Sequence, residues 1–194
     1  VSLTNRVTPL GDVVAAPGRG TLMGNRGVLH TPDGTVVRGW AHRAWISCTL
    51  SWRGRRLPLL EPGHYTQLFF LDEAVALAAG HRPCALCRRP AFRAYREAAR
   101  LDLLAPALDS RLHAERLDGG IRRLHPRPWS ALPDGAVAVL DGAPVVVRGT
   151  SVVPWLPANA WGAARARPTT GDAEVITPPT SLAALVGGYP ITPR

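Results

Sequence analysis

The stretch Gly80-His81-Arg82-Pro83-Cys84-Ala85-Leu86-Cys87-Arg88-Arg89 constrains the fold of this chain more than any other. Two thiols separated by two residues share one turn, whose backbone amides aim at the sulfurs and favour their ionised form. Asp72 is placed to cap a short helix through Ala79 that Gly80 ends, and Pro90 sits in the first turn of a helix expected to run to Leu103. The turn is therefore held between two helices. A redox pair would start a helix directly after a strand, whereas a helix and a glycine precede this one. A metal site is the better expectation, with zinc as the usual ion.

Three cysteines make an odd count with two of them close together, which does not suit a disulfide framework. The third, Cys48, lies in an alternating run from Trp45 to Trp52 that places Ile46, Cys48, Leu50 and Trp52 on one face. Arg53-Gly54-Arg55 then reads as a hairpin turn into a second strand, Arg56 to Leu60. Cys48 faces inward on this reading, as a metal ligand or as a small core residue.

The remaining pattern is that of an α+β chain. Short β-branched runs punctuated by Pro17-Gly18, Asp33-Gly34 and Pro62-Gly63 fill the N-terminal part. A helix is expected over Pro106 to Leu117, then an irregular Arg- and Pro-rich stretch, 118–133, as a linker or ordered loop. A β-meander follows over Ala136–Leu140, Pro144–Arg148 and Ser151–Trp155, then an exposed loop over Ala158–Gly171 and a strand over Glu174–Thr177. A last short helix runs from a Thr180 cap to Val186. Residues 1–117 form a metal-organised strand-and-helix region and 134–194 a β-rich region that belongs to the same compact domain or adjoins it. No apolar window is long enough to span a bilayer, and Val1–Arg6 has no signal-peptide core, so a cytoplasmic, membrane-free protein is expected.

The chain has 23 basic residues against 14 acidic ones, a formal charge of +9, and every basic residue is arginine. Planar guanidinium forks suit phosphates and base faces. Arg82 precedes the thiols, Arg88, Arg89, Arg93 and Arg96 follow them closely, and Arg53, Arg55 and Arg56 cluster in the hairpin turn. Joined by a metal, these groups form one candidate nucleic-acid-binding strip, with Trp52 or Tyr95 available for stacking. The alternative is a solvated helix face with ordinary ion pairs.

Phe69-Phe70-Leu71-Asp72-Glu73-Ala74, continued by Ala78-Ala79-Gly80-His81-Arg82-Pro83-Cys84-Ala85-Leu86-Cys87-Arg88, resembles the second half of the Ada-type metal-binding domain of bacterial DNA methyl-phosphotriester repair, over residues 65–93. The resemblance implies that Cys84 and Cys87 are zinc ligands beside a nucleic-acid backbone, DNA in preference to RNA, with a link to repair. That family's earlier Cys-x-x-x-Cys pair, one member of which accepts the methyl group, has only Cys48 upstream here. The resemblance thus carries the metal and not the alkyl transfer. The whole layout, including Met23–Gly27 and Leu112–Arg116, is similar to a group of uncharacterised bacterial proteins.

Two further readings stay open. His113-Ala114-Glu115 with Pro83-Cys84-x-x-Cys87 resembles, in reversed order, the two motifs of zinc-dependent nucleobase deaminases. That likeness implies Cys84, Cys87 and His113 as metal ligands and Glu115 as the catalytic proton carrier of a hydrolase. The other reading is a metal-stabilised protein-interaction domain. His30, His64 and His81 also stand near enough in sequence to compete for the ion.

Overall fold

In the computed structural model, which describes residues 2–54 and 58–191, the chain is α+β with four helices and three sheets. Six short strands form the N-terminal sheet: β1 (Thr4–Val7), β2 (Val13–Ala15), β3 (Leu22–Asn25), β4 (Ile46–Cys48), β5 (Leu68–Phe70) and β6 (Arg82–Pro83). Their order is β2-β1-β5-β3-β4-β6. The β1–β5 and β4–β6 pairs are parallel and the others antiparallel. Helix α1 (Glu73–Ala78) joins β5 to β6, and α2 (Arg89–Ala98) and α3 (Ala105–Arg116) follow the thiol turn.

Strands β7 (Leu117–Asp118) and β8 (Ile121–Arg122) make a small hairpin. The second sheet contains β9 (His125–Pro128), β10 (Val137–Leu140), β11 (Ala143–Arg148), β12 (Ser151–Leu156), β13 (Ala160–Trp161), β14 (Arg165–Ala166) and β15 (Asp172–Val175). The meander β10-β11-β12 is its centre, and β15 returns to pair between β10 and β9. Helix α4 (Pro179–Val186) closes the chain.

The helices start and stop for local reasons. Asp72 accepts from the Val75 amide at 3.0 Å and caps α1, and Gly80, at φ +86°, turns the chain out of it. Helix α2 ends at Ala98, short of the expected Leu103, where Arg100 takes φ +53°. The reason is tertiary: Gly187, at the end of α4, lies so close to the Ala98 carbonyl that even a methyl group would collide there. Helix α4 covers the expected span, but Thr180 is not its N-cap. Thr180 lies inside the first turn, and its amide and hydroxyl both donate to the Glu115 carboxylate of α3, at 2.9 and 2.7 Å. A carboxylate from another helix thus supplies the negative end that an N-terminus favours.

The hairpin expected after Trp52 lies partly outside the described residues: Trp52 carries a bridge and the Arg53-Gly54 turn follows it. Strand β4 ends at Cys48, and its partners are β3 and β6. Arg53 and Gly54 turn with positive φ, Arg55, Arg56 and Leu57 lie outside the described residues, and Pro58–Leu60 is not a strand. Both sides of β4 are covered, so Trp45 and Ser47 are buried along with Cys48.

Stretch 118–133 is ordered as the β7–β8 hairpin, the edge strand β9 and a 3-10 turn at Trp129–Ala131. One buried cluster takes Leu77, Phe92, Tyr95 and Leu108 from the helices together with Val145, Val147 and Val175 from the second sheet, so the two regions share a core. Among the described residues no helix is long and apolar enough to cross a membrane.

Gly80 is the most tightly held turn residue near the thiols. A Cβ there would lie 2.5 Å from Cδ of Arg116, a fully buried side chain pinned by the Gly80 and Arg43 carbonyls. Gly80→Ala should therefore cost about 2–3 kcal/mol, from the strained φ plus the displaced Arg116. Chemical denaturation checks this, and a loss below half a kcal/mol or so would contradict it.

Candidate metal centre

The centre is built by one parallel ladder. In the β4–β6 pair Ile46 faces Arg82 and Ser47 faces Pro83, and the next hydrogen bond runs from the Cys84 amide to the Ser47 carbonyl at 2.9 Å. This register sets Cys48, at the end of β4, beside Cys84, just past β6. The turn Cys84–Cys87 then folds back: the Leu86 amide donates to Cys84 Sγ at 3.4 Å and the Arg88 amide to the Cys84 carbonyl at 3.1 Å. The three sulfurs of Cys48, Cys84 and Cys87 lie within 4.8 Å of one another, close enough to hold a metal ion. Cys48 and Cys84 are buried and Cys87 is half-buried, all as free thiols.

The electrostatics fit a cation. The Cys84 thiol has its pKa lowered to about 5. The main cause is the Cys48 thiol donating to it, aided by the Cys87 and Leu86 amides against the cost of burial. Cys48 is pushed far up by the same contact and by burial. A metal ion needs the sulfurs deprotonated, so its binding would release protons and weaken in acid. The Tyr65 phenol is pushed up by burial and then by the charges of Cys48, Cys87 and Cys84, which places it in electrostatic reach of the sulfurs.

Salt bridges bracket the turn on both sides. Arg82 is buried and grips Asp109 of α3 with two bonds, at 2.7 and 2.8 Å. Arg88 donates to Ser47 Oγ at 2.8 Å and to Glu73 Oε1 at 2.6 Å, and the Tyr189 hydroxyl joins the same carboxylate at 2.7 Å. Breaking one side of such a buried pair costs about 3–5 kcal/mol, because it strands the other charge. Both arginines were expected on the nucleic-acid strip. They are instead committed inward, as braces of the thiol turn.

The other sequence candidates separate clearly. His113 is not part of the thiol cluster: its ring packs edge-on against Trp40, 4.7 Å between centroids, and Nδ1 accepts from Arg116. Glu115 is engaged with Thr180 and Arg111. The deaminase-like set is thus not assembled. Two residues apart on a helix, His113 and Glu115 project to different sides. His30 is held by Thr66 at 2.6 Å, His64 is exposed beside Glu61, and His81 is buried and accepts from Arg26. Tyr95, expected as a base-stacking surface, is fully buried with its hydroxyl on Ser181.

What remains outward is a smaller basic surface next to the thiols. Arg89, Arg93 and Arg96 line a groove of about 280 Å³ with Ala85 and Phe92. Leu86 at the tip of the turn is exposed, and Arg53 lies over the partly exposed Trp52 ring at 4.5 Å. Arg55 and Arg56 lie outside the described residues. Tyr65 is the residue near the sulfurs that no motif announces. Its only signal is its place in the Pro62-Gly63-His64-Tyr65 turn, where His64 is the more obvious ligand type.

Compared with protein-family models, curated proteins and solved structures, the chain matches none.

Titration with Co²⁺ should give a thiolate-to-metal absorption band that saturates at about one ion per chain. Cys48→Ala and Cys84→Ala should each weaken binding by at least tenfold or so, while His113→Ala leaves the band unchanged. A band that survives Cys48→Ala would remove Cys48 from the set.

Proposed function

We propose that Cys48, Cys84 and Cys87 hold a zinc ion whose role is to fix a nucleic-acid-binding surface, in line with the resemblance to Ada-type repair domains. The observation that carries this reading is the groove of Arg89, Arg93 and Arg96 directly beside the Cys84–Cys87 turn. Three sulfur ligands match the softness of zinc, and a metal there ties β4 to the start of α2. The three guanidiniums step along α2 at intervals of four and three residues, so they share one side of the helix. Forks at that spacing suit successive phosphates, and Trp52 with Arg53 over it supplies a stacking face for an unpaired base. DNA is the preferred partner over RNA on the strength of the resemblance alone. The net charge of +9 favours any polyanion, and the groove gives that charge a location.

A second reading draws on the number of ligands. Three protein ligands leave a fourth position on a tetrahedral ion, and a water there is the nucleophile of zinc hydrolases. Tyr65 is a polar group in electrostatic reach of the sulfurs, whereas Glu115 is spent on capping α4. The protein-interaction reading rests on the exposed Leu86 alone and has less support.

Binding to DNA should weaken steeply with salt. Replacing Arg89, Arg93 and Arg96 by alanine should lower affinity and reduce the slope of log affinity against log salt by about 1 for each phosphate no longer neutralised. Fluorescence anisotropy with single- and double-stranded oligonucleotides measures both. Salt-independent binding, or an unchanged slope in the triple variant, would falsify this surface. Tyr65→Phe separates the two readings: it should leave binding intact in the DNA-binding protein and remove turnover in a hydrolase.

A further inference from the structure

On the far side of β4 from Cys48, Trp45 is clamped between two buried guanidiniums. Cζ of Arg26 lies 3.8 Å from its ring centre and Cζ of Arg116 3.9 Å. Arg122 is the third cation of this group, and the three repel one another. Guanidinium cannot shed its proton under ordinary conditions, so the charges remain. Backbone carbonyls answer part of the demand. Arg116 donates to Gly80 O and Arg43 O, Arg122 to Ala78 O and Ile176 O, and Arg26 to Gly11 O, Gly39 O and the His81 ring. Gly80 O and Ala78 O belong to the C-terminal end of α1, where partial negative charge gathers. No carboxylate forms a salt bridge with any of the three among the described residues. Asp12, at an exposed position, is the acid that acts on Arg26 and Arg122. Asp109, which acts on Arg116, is already held by Arg82.

The unanswered donors converge. Arg26 Nη2, and both Nε and Nη1 of Arg122, are buried without a hydrogen-bond partner. Nη2 of Arg26 and Nη1 of Arg122 lie at the same distance, 3.8 Å, from the point where Gly11, at φ +100°, would carry a Cβ, with the Ala79 carbonyl oxygen 3.9 Å from the same point. Arg26, Arg122 and Gly11 line a pocket of about 410 Å³, with exposed Arg38 and Trp40 at its mouth. A buried donor left unmade costs about 1–3 kcal/mol, and more when charged, so two charged ones around one point call for an acceptor.

We propose that this pocket binds the phosphate group of a small phosphomonoester, with Arg26 and Arg122 at its floor and Arg38 closing over it. A phosphomonoester carries close to two negative charges at neutral pH, roughly −1.5 to −2, against one for a carboxylate, and it offers three acceptor oxygens. That charge matches a site where three cations gather and the acid at its rim is Asp12. The pocket is larger than a phosphate alone, so the rest of the ligand lies against Trp40, Leu10 and Val36. The floor nitrogens are closed to bulk water, so entry proceeds through a shift of the exposed Arg38–Trp40 rim. This site is separate from the Arg89, Arg93 and Arg96 groove and does not depend on its role.

The test uses the whole metal-loaded protein and follows its Tm against inorganic phosphate and a nucleoside 5′-monophosphate, with chloride and acetate at matched ionic strength. The phosphate compounds should raise Tm in a saturating manner and the other salts should not. Arg38→Ala, at an exposed position, should leave the ligand-free Tm in place and weaken the phosphate response about tenfold, the weight of one charge-assisted bond. Arg122→Met should abolish the response. If Arg122→Met does not fold, Arg38→Ala decides. A 5′-phosphorylated oligonucleotide that stabilises the protein where its unphosphorylated twin does not would assign the phosphate to a strand end. Stabilisation by the monophosphate alone would assign it to a free metabolite. Equal Tm in phosphate and chloride, an acetate response as large as that to phosphate, or an undiminished response in Arg38→Ala overturns the proposal. The Arg89, Arg93 and Arg96 variant should retain the phosphate response, so failure of the DNA-binding surface and failure of this site are read separately.

Discussion

The parallel pairing of β4 with β6 is the contact on which the thiol centre rests. The hydrogen bond from the Cys84 amide to the Ser47 carbonyl, continuing the two-residue ladder, brings the end of β4 to the first cysteine of the turn. A ladder this short supplies little stability on its own, and closing the long segment between Cys48 and Cys84 costs chain entropy. The Arg82–Asp109 and Arg88–Glu73 bridges brace the same point from α3 and α1. An ion held by the three sulfurs would add a further tie across that loop and couple its binding to folding.

The chain uses arginine for opposite purposes within a short distance. Arg82 and Arg88 are internal struts, and Arg26, Arg116 and Arg122 form a buried cationic group around Trp45 and His81. Arg89 and Arg93 face solvent beside the thiols. Burial of the first five is possible because carboxylates, carbonyls and an aromatic face meet most of their donors. His81 belongs to this group and stays neutral, held down by burial and then by Arg26, Arg116 and Arg122, which lets its Nε2 accept from Arg26. A histidine next to a Cys-x-x-Cys motif thus serves the cation cluster and not the sulfur cluster.

Local signals in the sequence were enough for the elements that are locally determined. The Asp72 cap, the Gly80 stop, the span of α3 and the β10–β12 meander all follow from capping residues, glycines and alternating β-branched runs. The departures from local expectation share one cause, the partner chosen at long range. Strand β4 took β3 and β6 as its partners, α2 stopped where the end of α4 packs on Ala98, and the start of α4 took its acid from α3. None of these partners is close in sequence, so no local pattern announces them.

The thiol pair shows where the two kinds of information divide. The sequence by itself determined that Cys84 and Cys87 share a turn and that Cys48 points inward, because spacing and strand alternation fix side-chain direction within a few residues. It left Cys48 equally fit to be ligand or core, and it made every nearby arginine look like a surface cation. Only the tertiary structure decided that Cys48 completes the sulfur set, that His113 does not, and that Arg82 and Arg88 face inward while Arg89 and Arg93 face out. The physical reason is that a ligand set or a buried charge is defined by which groups meet across the fold, and pairing across the fold is set by the whole core.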